Sequence, residues 1–280
     1  FDSGPGDHRL IIFSSPEQLK ILEETEEILI DGTFKVTPAI FTQLYTIHGV
    51  YRNCVFPLVF ALLSDKQQQT YQRLINELRR LCPSWNPKSV MIDFEKGAIN
   101  AFQGTFTTLS ISGCFFHLQK SIQRKLQNLG LKTNYENDSK FACDVNKIAA
   151  LAFLLPSDVN QGFDDLYGSA LAFLLPSDVN QGFDDLYGSL PSILEPVLDY
   201  SEDTYIGRRR PNGRATPRYP VNLWNMHQRT INNSMRTNNQ TEAWHRRLNS
   251  VIQCEHPSLW IFIQSLQKEE NYIRCQLVKV

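Results

Sequence analysis

Ile28-Leu29-Ile30-Asp31 opens the stretch ILIDGTFKV (residues 28–36), and Val90-Met91-Ile92-Asp93 repeats its pattern farther along the chain. Each is an apolar run of strand length closed by an aspartate, as a strand reads when both of its faces are covered. A carboxylate lifted out of water beside a sheet core is costly unless something cationic neutralises it. Two of them on neighbouring central strands repel unless a metal lies between. Each aspartate also has an ordinary reading, Asp31-Gly32 as a hairpin turn and Asp93 as the N-cap of a helix beginning near Phe94. The turn reading is the weaker, because Thr37-Pro38 already supplies a turn that leaves the flanking strands better lengths.

Working outward, Ile28–Val36, Phe41–Tyr51 and Val55–Leu63 read as an antiparallel meander separated by Thr37-Pro38 and Arg52-Asn53. A short acidic helix over residues 17–29 precedes it, with Ser15 and Pro16 as start signals. Gln67–Leu81 places Tyr71, Leu74, Ile75 and Leu78 at helical spacing before Pro83 and Pro87 end the segment. Then come a strand at Ser89–Asp93, a helix with Ala98, Ile99 and Phe102, a strand at Ser110–Phe116, and a helix with Leu118, Ile122, Leu126 and Leu129. The predicted order is βββαβαβα, an α/β mixed sheet. From Lys132 to Asn233 no strand pattern occurs, so the sheet is interrupted by a helical region and an exposed Pro/Arg-rich loop, Arg208–Pro220.

Inside that region Ala150–Ser169 (ALAFLLPSDVNQGFDDLYGS) is repeated without change as Ala170–Ser189. A solenoid needs at least three units, so this is a recent tandem copy and not a structural repeat. Each copy encodes one helix, capped by Ser157 or Ser177 and stopped at Gly168 or Gly188. One copy is expected to loop out of the core, which a fold tolerates.

The 280 residues are 42% hydrophobic and 20% charged, which excludes a disordered or low-complexity chain. The longest apolar stretch, Val55–Leu63, is far below the roughly 18 residues of a membrane span, and residues 1–8 have no secretory pattern. The missing initiator Met points to a fragment. Six scattered cysteines without CxxC pairs indicate a reducing compartment. The formal net charge of −1 hides an asymmetry: Gly207–Ser250 carries nine arginines, no lysine and one acid, a local charge of +8, whereas residues 1–206 carry −9. Guanidinium forks grip phosphate oxygens bidentately and stack on bases, so Arg208, Arg209, Arg210, Arg214, Arg218, Arg236, Arg246 and Arg247 are candidate nucleic-acid contacts. A solvated basic loop is the plainer alternative.

A third acid lies in that strip. On a helix from about Asn239 to Ile252, Trp244, Leu248, Val251 and Ile252 share the core face, and Glu242, His245, Arg246 and Asn249 share the opposite one. Glu242 is thereby displayed, or else it simply complements the helix dipole behind a Thr237 or Asn238 cap. Trp224 and Trp244 could stack on bases, but core packing suits them better.

The runs IDGTFKVTP (30–38), LLSDKQQQTYQRLINELR (62–79), MIDFEKGAINAF (91–102), CFFHLQKSIQRKL (114–126) and RTNNQTEAWHRRLN (236–249) resemble, in this order, the catalytic domain of Mutator-like element (MULE) transposases. The resemblance spans residues 24–268. It implies an RNase H-like fold with an all-α insertion before the final acidic helix, and a DDE triad that falls here on Asp31, Asp93 and Glu242. By it, residues 1–24 are an N-terminal flank, 25–131 the first part of the core, 132–235 the helical insertion and 236–280 the C-terminal helices of the core. It further implies DNA cleavage and strand transfer with two Mg2+ or Mn2+ ions held by Asp31, Asp93 and Glu242. Transposon ends and target DNA would be the partners, the active form a homo-oligomer on DNA, with no membrane, and the nucleus the location. Glu95 would support the metal ligands or serve as helix first-turn charge.

Cys114 and His117 match the CxxH of the family, although on spacing alone Cys114 reads as a small buried residue. With Cys254 and His256 they could instead build a zinc site. The duplication, the lack of the DNA-binding module usual before this domain and a C-terminus that stops mid-pattern depart from the family. They favour the alternative of a domesticated or inactive transposase-derived DNA-binding protein. An RNase H-type nuclease acting on RNA also fits the acids, but gives no reason for the insertion or the arginines.

Overall fold

The computed structural model describes residues 1–154 and 190–278. They form two compact units, residues 1–111 with 238–278, and residues 112–154 with 190–237.

Unit 1 begins with β1 (Leu10–Phe13) and α1 (Pro16–Glu24), followed by β2 (Glu27–Thr33), β3 (Gln43–Tyr51), β4 (Cys54–Leu63), α2 (Gln68–Leu81), β5 (Ser89–Ile92), α3 (Lys96–Thr105) and β6 (Ser110–Gly113). The strands make one mixed sheet in the order β1-β4-β3-β2-β5-β6, so the architecture is α/β. β2, β3 and β4 are the expected meander, and the β3–β4 turn is Arg52-Asn53 with φ of 48° and 63°, the left-handed pair that a two-residue hairpin requires. Pro57 sits at a bulge in β4, where the register shifts between Ile47 and His48 and a missing N–H is tolerated.

Several expectations from the sequence change at this level. β1, a run of only four residues, was not anticipated, because its partner is the distant segment Phe60–Leu63 and no local turn announces the pairing. α1 stops at Glu24, not at residue 29, because burial of Ile28 and Ile30 commits Glu27 onward to β2. β2 ends at Thr33, three residues before the expected Val36. Asp31 and Gly32 form no turn: they are strand residues paired with Thr46 and Tyr45. Asp93 caps no helix, since α3 starts at Lys96 with Glu95 in the N-cap position. The strand expected over Ser110–Phe116 ends at Gly113.

Unit 2 contains α4 (Phe115–Asn128), α5 (Lys132–Asn137), α6 (Ser139–Ala150), a 3-10 turn at Leu151–Phe153, another at Ser192–Leu194, α7 (Glu195–Ser201), a π turn at Glu202–Ile206, the hairpin β7 (Arg209–Arg210) and β8 (Gly213–Arg214), α8 (Val221–Trp224) and α9 (His227–Ile231). The hairpin corrects the expectation of no strand in this region; two residues a side are too short to register as a pattern. Leu118, Ile122, Leu126, Val197, Leu198, Tyr205 and Trp224 are buried here. Trp224 donates its indole N–H to the Tyr205 carbonyl at 3.1 Å, which makes it a core residue. The helices read from the duplicated segment, beginning at Ser157 and Ser177, lie outside the described residues.

The chain then returns to unit 1 with α10 (Asn239–Ile252) and α11 (Leu259–Leu277). α2 covers one sheet face, its Tyr71 ring 5.0 Å from Tyr45, and buries Tyr71, Leu74, Ile75 and Leu78, each worth roughly 1.5–3 kcal/mol. α10 and α11 cover the other face, where Trp244 lies 5.2 Å from Phe60 and Phe262 lies 6.1 Å from Phe13.

Candidate functional site

β2 and β5 run parallel with Leu29 opposite Met91, and Asp31 and Asp93 stand two residues farther along each. Both aspartates therefore stand at the same end of these two neighbouring strands. Asp31 is 4% exposed and Asp93 half-buried just beyond the last residue of β5. Each turns one oxygen onto the next backbone N–H, Gly32 at 2.9 Å and Phe94 at 2.6 Å. Glu242, half-buried in the first turn of α10, approaches Asp31: a carboxylate oxygen of each lies within 4.8 Å of the other, a cluster that does not include Asp93. Two ionised carboxylates 4.8 Å apart repel by about 3.5 kcal/mol at an effective dielectric constant of 20. A divalent cation between them reverses the sign, and carboxylate oxygens are donors that hard ions such as Mg2+ or Mn2+ take.

The sequence reading missed what holds Asp31. His245 was expected on the exposed side of its helix; it is 5% exposed and faces the sheet, with Nδ1 3.3 Å from Asp31 Oδ2. Its Nε2 lies 3.1 Å from Thr46 Oγ1, and Thr46 Oγ1 is 3.2 Å from His48 Nε2 and from the Asp31 carbonyl oxygen. The helix therefore buries a polar residue beside Trp244, because the sheet beneath offers Asp31 and its register partner Thr46 instead of carbon. Burial, and then the neighbouring His245, push the imidazolium of His48 well below the ordinary histidine range, so His48 stays neutral. The only trace in sequence is a histidine three residues after Glu242.

The opposite sheet face carries a second polar cluster. Tyr71 donates its hydroxyl to Glu95 and accepts from Gln43 Nε2 at 2.6 Å, and Lys66 Nζ stands 3.3 Å from Glu95. Burial, then the Glu95 charge, raise the Tyr71 phenol far above its usual range. Glu95 thus anchors α2 to the start of α3.

The arginines divide. In unit 2, Arg208 is bidentate on Asp203 at 2.5 and 2.8 Å, and Arg214 pairs with Glu202 at 3.1 Å. In unit 1, Arg247 pairs with buried Glu269 at 3.1 Å and lies 3.7 Å over the Tyr272 ring. The strip read as lacking counter-charge is partly compensated by acids just outside the window. Arg210, Arg218, Arg236 and Arg246 are exposed. Of Arg209 only the backbone is described, as part of β7. Cys114 occupies the N-cap position of α4 and is buried, as is His117 in the first turn of that helix. Cys254 and His256 are exposed in the loop between α10 and α11, where His256 Nδ1 lies 3.1 Å from the Thr37 carbonyl.

Among the described residues no helix is long and apolar enough to cross a membrane. No curated protein and no solved structure matches the chain. Residues 27–121, which include Asp31 and Asp93, match the family model of the MULE transposase domain.

Proposed function

We propose that this MULE transposase domain makes the chain the catalytic core of a DNA transposase, which cuts and joins phosphodiesters through a DDE triad of Asp31, Asp93 and Glu242. The observation that carries the reading is the approach of Asp31 and Glu242, far apart in the chain, to within 4.8 Å, with Asp93 just past the end of the strand that pairs with that of Asp31. An RNase H-like reading draws support from the same placement: the first acid on the first strand of the meander, the second just past β5, the third on a helix that follows the helical unit.

Asp31, Asp93 and Glu242 would hold the two Mg2+ or Mn2+ ions of such a triad, hard cations that suit carboxylate oxygens. Such a pair, when bound, activates water or a 3′-hydroxyl on one side of the phosphodiester and stabilises the leaving oxygen on the other. The chain itself supplies fixed carboxylates and exposed arginines. Arg210, Arg218 and Arg236 in unit 2 and Arg246 in unit 1 contact the DNA backbone, while Arg208, Arg214 and Arg247 are engaged by acids of this chain. Transposon ends and target DNA are the partners, a homo-oligomer on DNA the working form, and the nucleus the place of action.

The test is cleavage and strand joining by the full chain on labelled duplexes carrying candidate transposon ends, with Mg2+ or Mn2+. Asp31→Asn, Asp93→Asn and Glu242→Gln are expected to lose activity by at least about a hundredfold while still binding DNA. If wild type and Asp93→Asn bind equally and neither cuts with either metal, the chain is instead a non-catalytic DNA-binding descendant, the alternative that the exact tandem copy favours.

A further inference from the structure

The buried chain His48–Thr46–His245–Asp31 is more than core filling. An ionised carboxylate only accepts hydrogen bonds, so the His245 Nδ1 facing Asp31 Oδ2 at 3.3 Å carries the proton. Its Nε2 lies 3.1 Å from Thr46 Oγ1, whose hydroxyl donates to the Asp31 carbonyl oxygen at 3.2 Å. His48 Nε2 stands 3.2 Å from the same Oγ1. The polar chain thus meets Asp31 twice, at its carboxylate and at its carbonyl. All four residues are buried, and they come from β2, β3 and α10. Apolar residues of similar volume would fill this space at less desolvation cost, so stability alone gives no reason for two imidazoles and a hydroxyl ending on a carboxylate.

We propose that His245, itself oriented by Thr46 and His48, is a positioning residue that fixes the Asp31 carboxylate for divalent-metal binding with Glu242. The proposal rests on the reading of Asp31 as a metal ligand. With Oδ1 on the Gly32 N–H and Oδ2 on His245, the carboxylate plane has no free rotation, and the approach to Glu242 is set before any ion arrives. α10 carries both Glu242 and His245, so one rigid helix delivers a ligand and the group that aims its partner.

The experiment is calorimetric titration of the full chain with Mn2+ alone, on wild type, His245→Ala, His245→Gln, His245→Asn and Thr46→Val, with thermal melting as the folding control. An Asn amide nitrogen reproduces Nδ1, whereas that of Gln falls near Nε2. His245→Ala and His245→Gln should therefore weaken Mn2+ binding by about 10–100-fold, Thr46→Val by less, and His245→Asn should return to within about threefold of wild type. Imidazole nitrogen shifts of the metal-free protein should show a proton on Nδ1 of His245, the nitrogen that faces Asp31 Oδ2. Wild-type affinity in a folded His245→Ala, no rescue by Asn, or an Nδ1 without a proton overturns the positioning role and leaves the metal reading standing. A wild type that binds no Mn2+ overturns both.

Discussion

At the scale of single residues, His48 shows how a neutral buried imidazole becomes a pH liability. In the unfolded chain a histidine titrates near pH 6.5. In the fold, burial and then His245 hold the His48 value well below that. On acidification through about pH 6.5 the unfolded state takes up a proton that the native state refuses. Stability is thus complete above that pH and is lost as pH falls, by up to about 1.4 kcal/mol per pH unit until the native value is reached. Replacing His48 by Gln should remove this component. Melting temperatures of wild type and His48→Gln followed from pH 7.5 to 5 should converge on acidification, and parallel curves would refute the assignment. Asp31 was legible from its apolar run, because strand-length hydrophobicity ending in a carboxylate is a local pattern. Thr46 was not, since nothing near it in sequence marks it as the register partner of Asp31.

At the scale of elements, the start of α1 was readable and its end was not. Ser15 accepts from the Gln18 N–H at 3.3 Å, and the Gln18 side chain accepts from the Ser15 N–H at 2.8 Å, a reciprocal capping box written entirely in local residues. Ser15→Ala should cost about 1 kcal/mol, read as a lower urea midpoint at unchanged slope; no change would mean that the tertiary contacts of Gln18 hold the helix end alone. The end of α1 depends on the sheet pairing of β2, a competition that helical periodicity does not contain. The β7–β8 hairpin is a tertiary product too. It is tied down by Arg214–Glu202 and by Gly207, whose φ of 94° leaves an added Cβ only 1.9 Å from the Ala215 carbonyl oxygen. Gly207→Ala should lower stability by at least about 2 kcal/mol, measured by thermal melting; a melt identical to wild type would show that the turn relaxes without strain.

At the scale of the whole molecule the question is what the charge distribution is for. A net charge of −1 predicts no affinity for DNA, and the +8 of Gly207–Ser250 predicts a good deal. Ion pairs at Arg208, Arg214 and Arg247 reduce the supply without exhausting it. Each direct phosphate contact contributes about 0.9 to the slope of log K against log salt. The triple variant Arg210→Ala, Arg218→Ala, Arg236→Ala should therefore flatten that slope by about 2–3, while Arg214→Ala should lower the melting temperature with little change in slope. Equal slopes for the triple variant and wild type would exclude these three from the DNA surface.

The amino-acid order alone determined the alternation of strands and helices, the apolar faces, and the two aspartates at the ends of buried runs, because burial periodicity and caps act over a few residues. Only the folded chain decided that β1 closes one edge of the sheet, that His245 turns inward onto Asp31 and Thr46, and that three of the arginines are met by acids of the same chain. Those outcomes depend on which distant segments share a register or a packing layer, and a side chain cannot announce a partner that the fold brings from elsewhere.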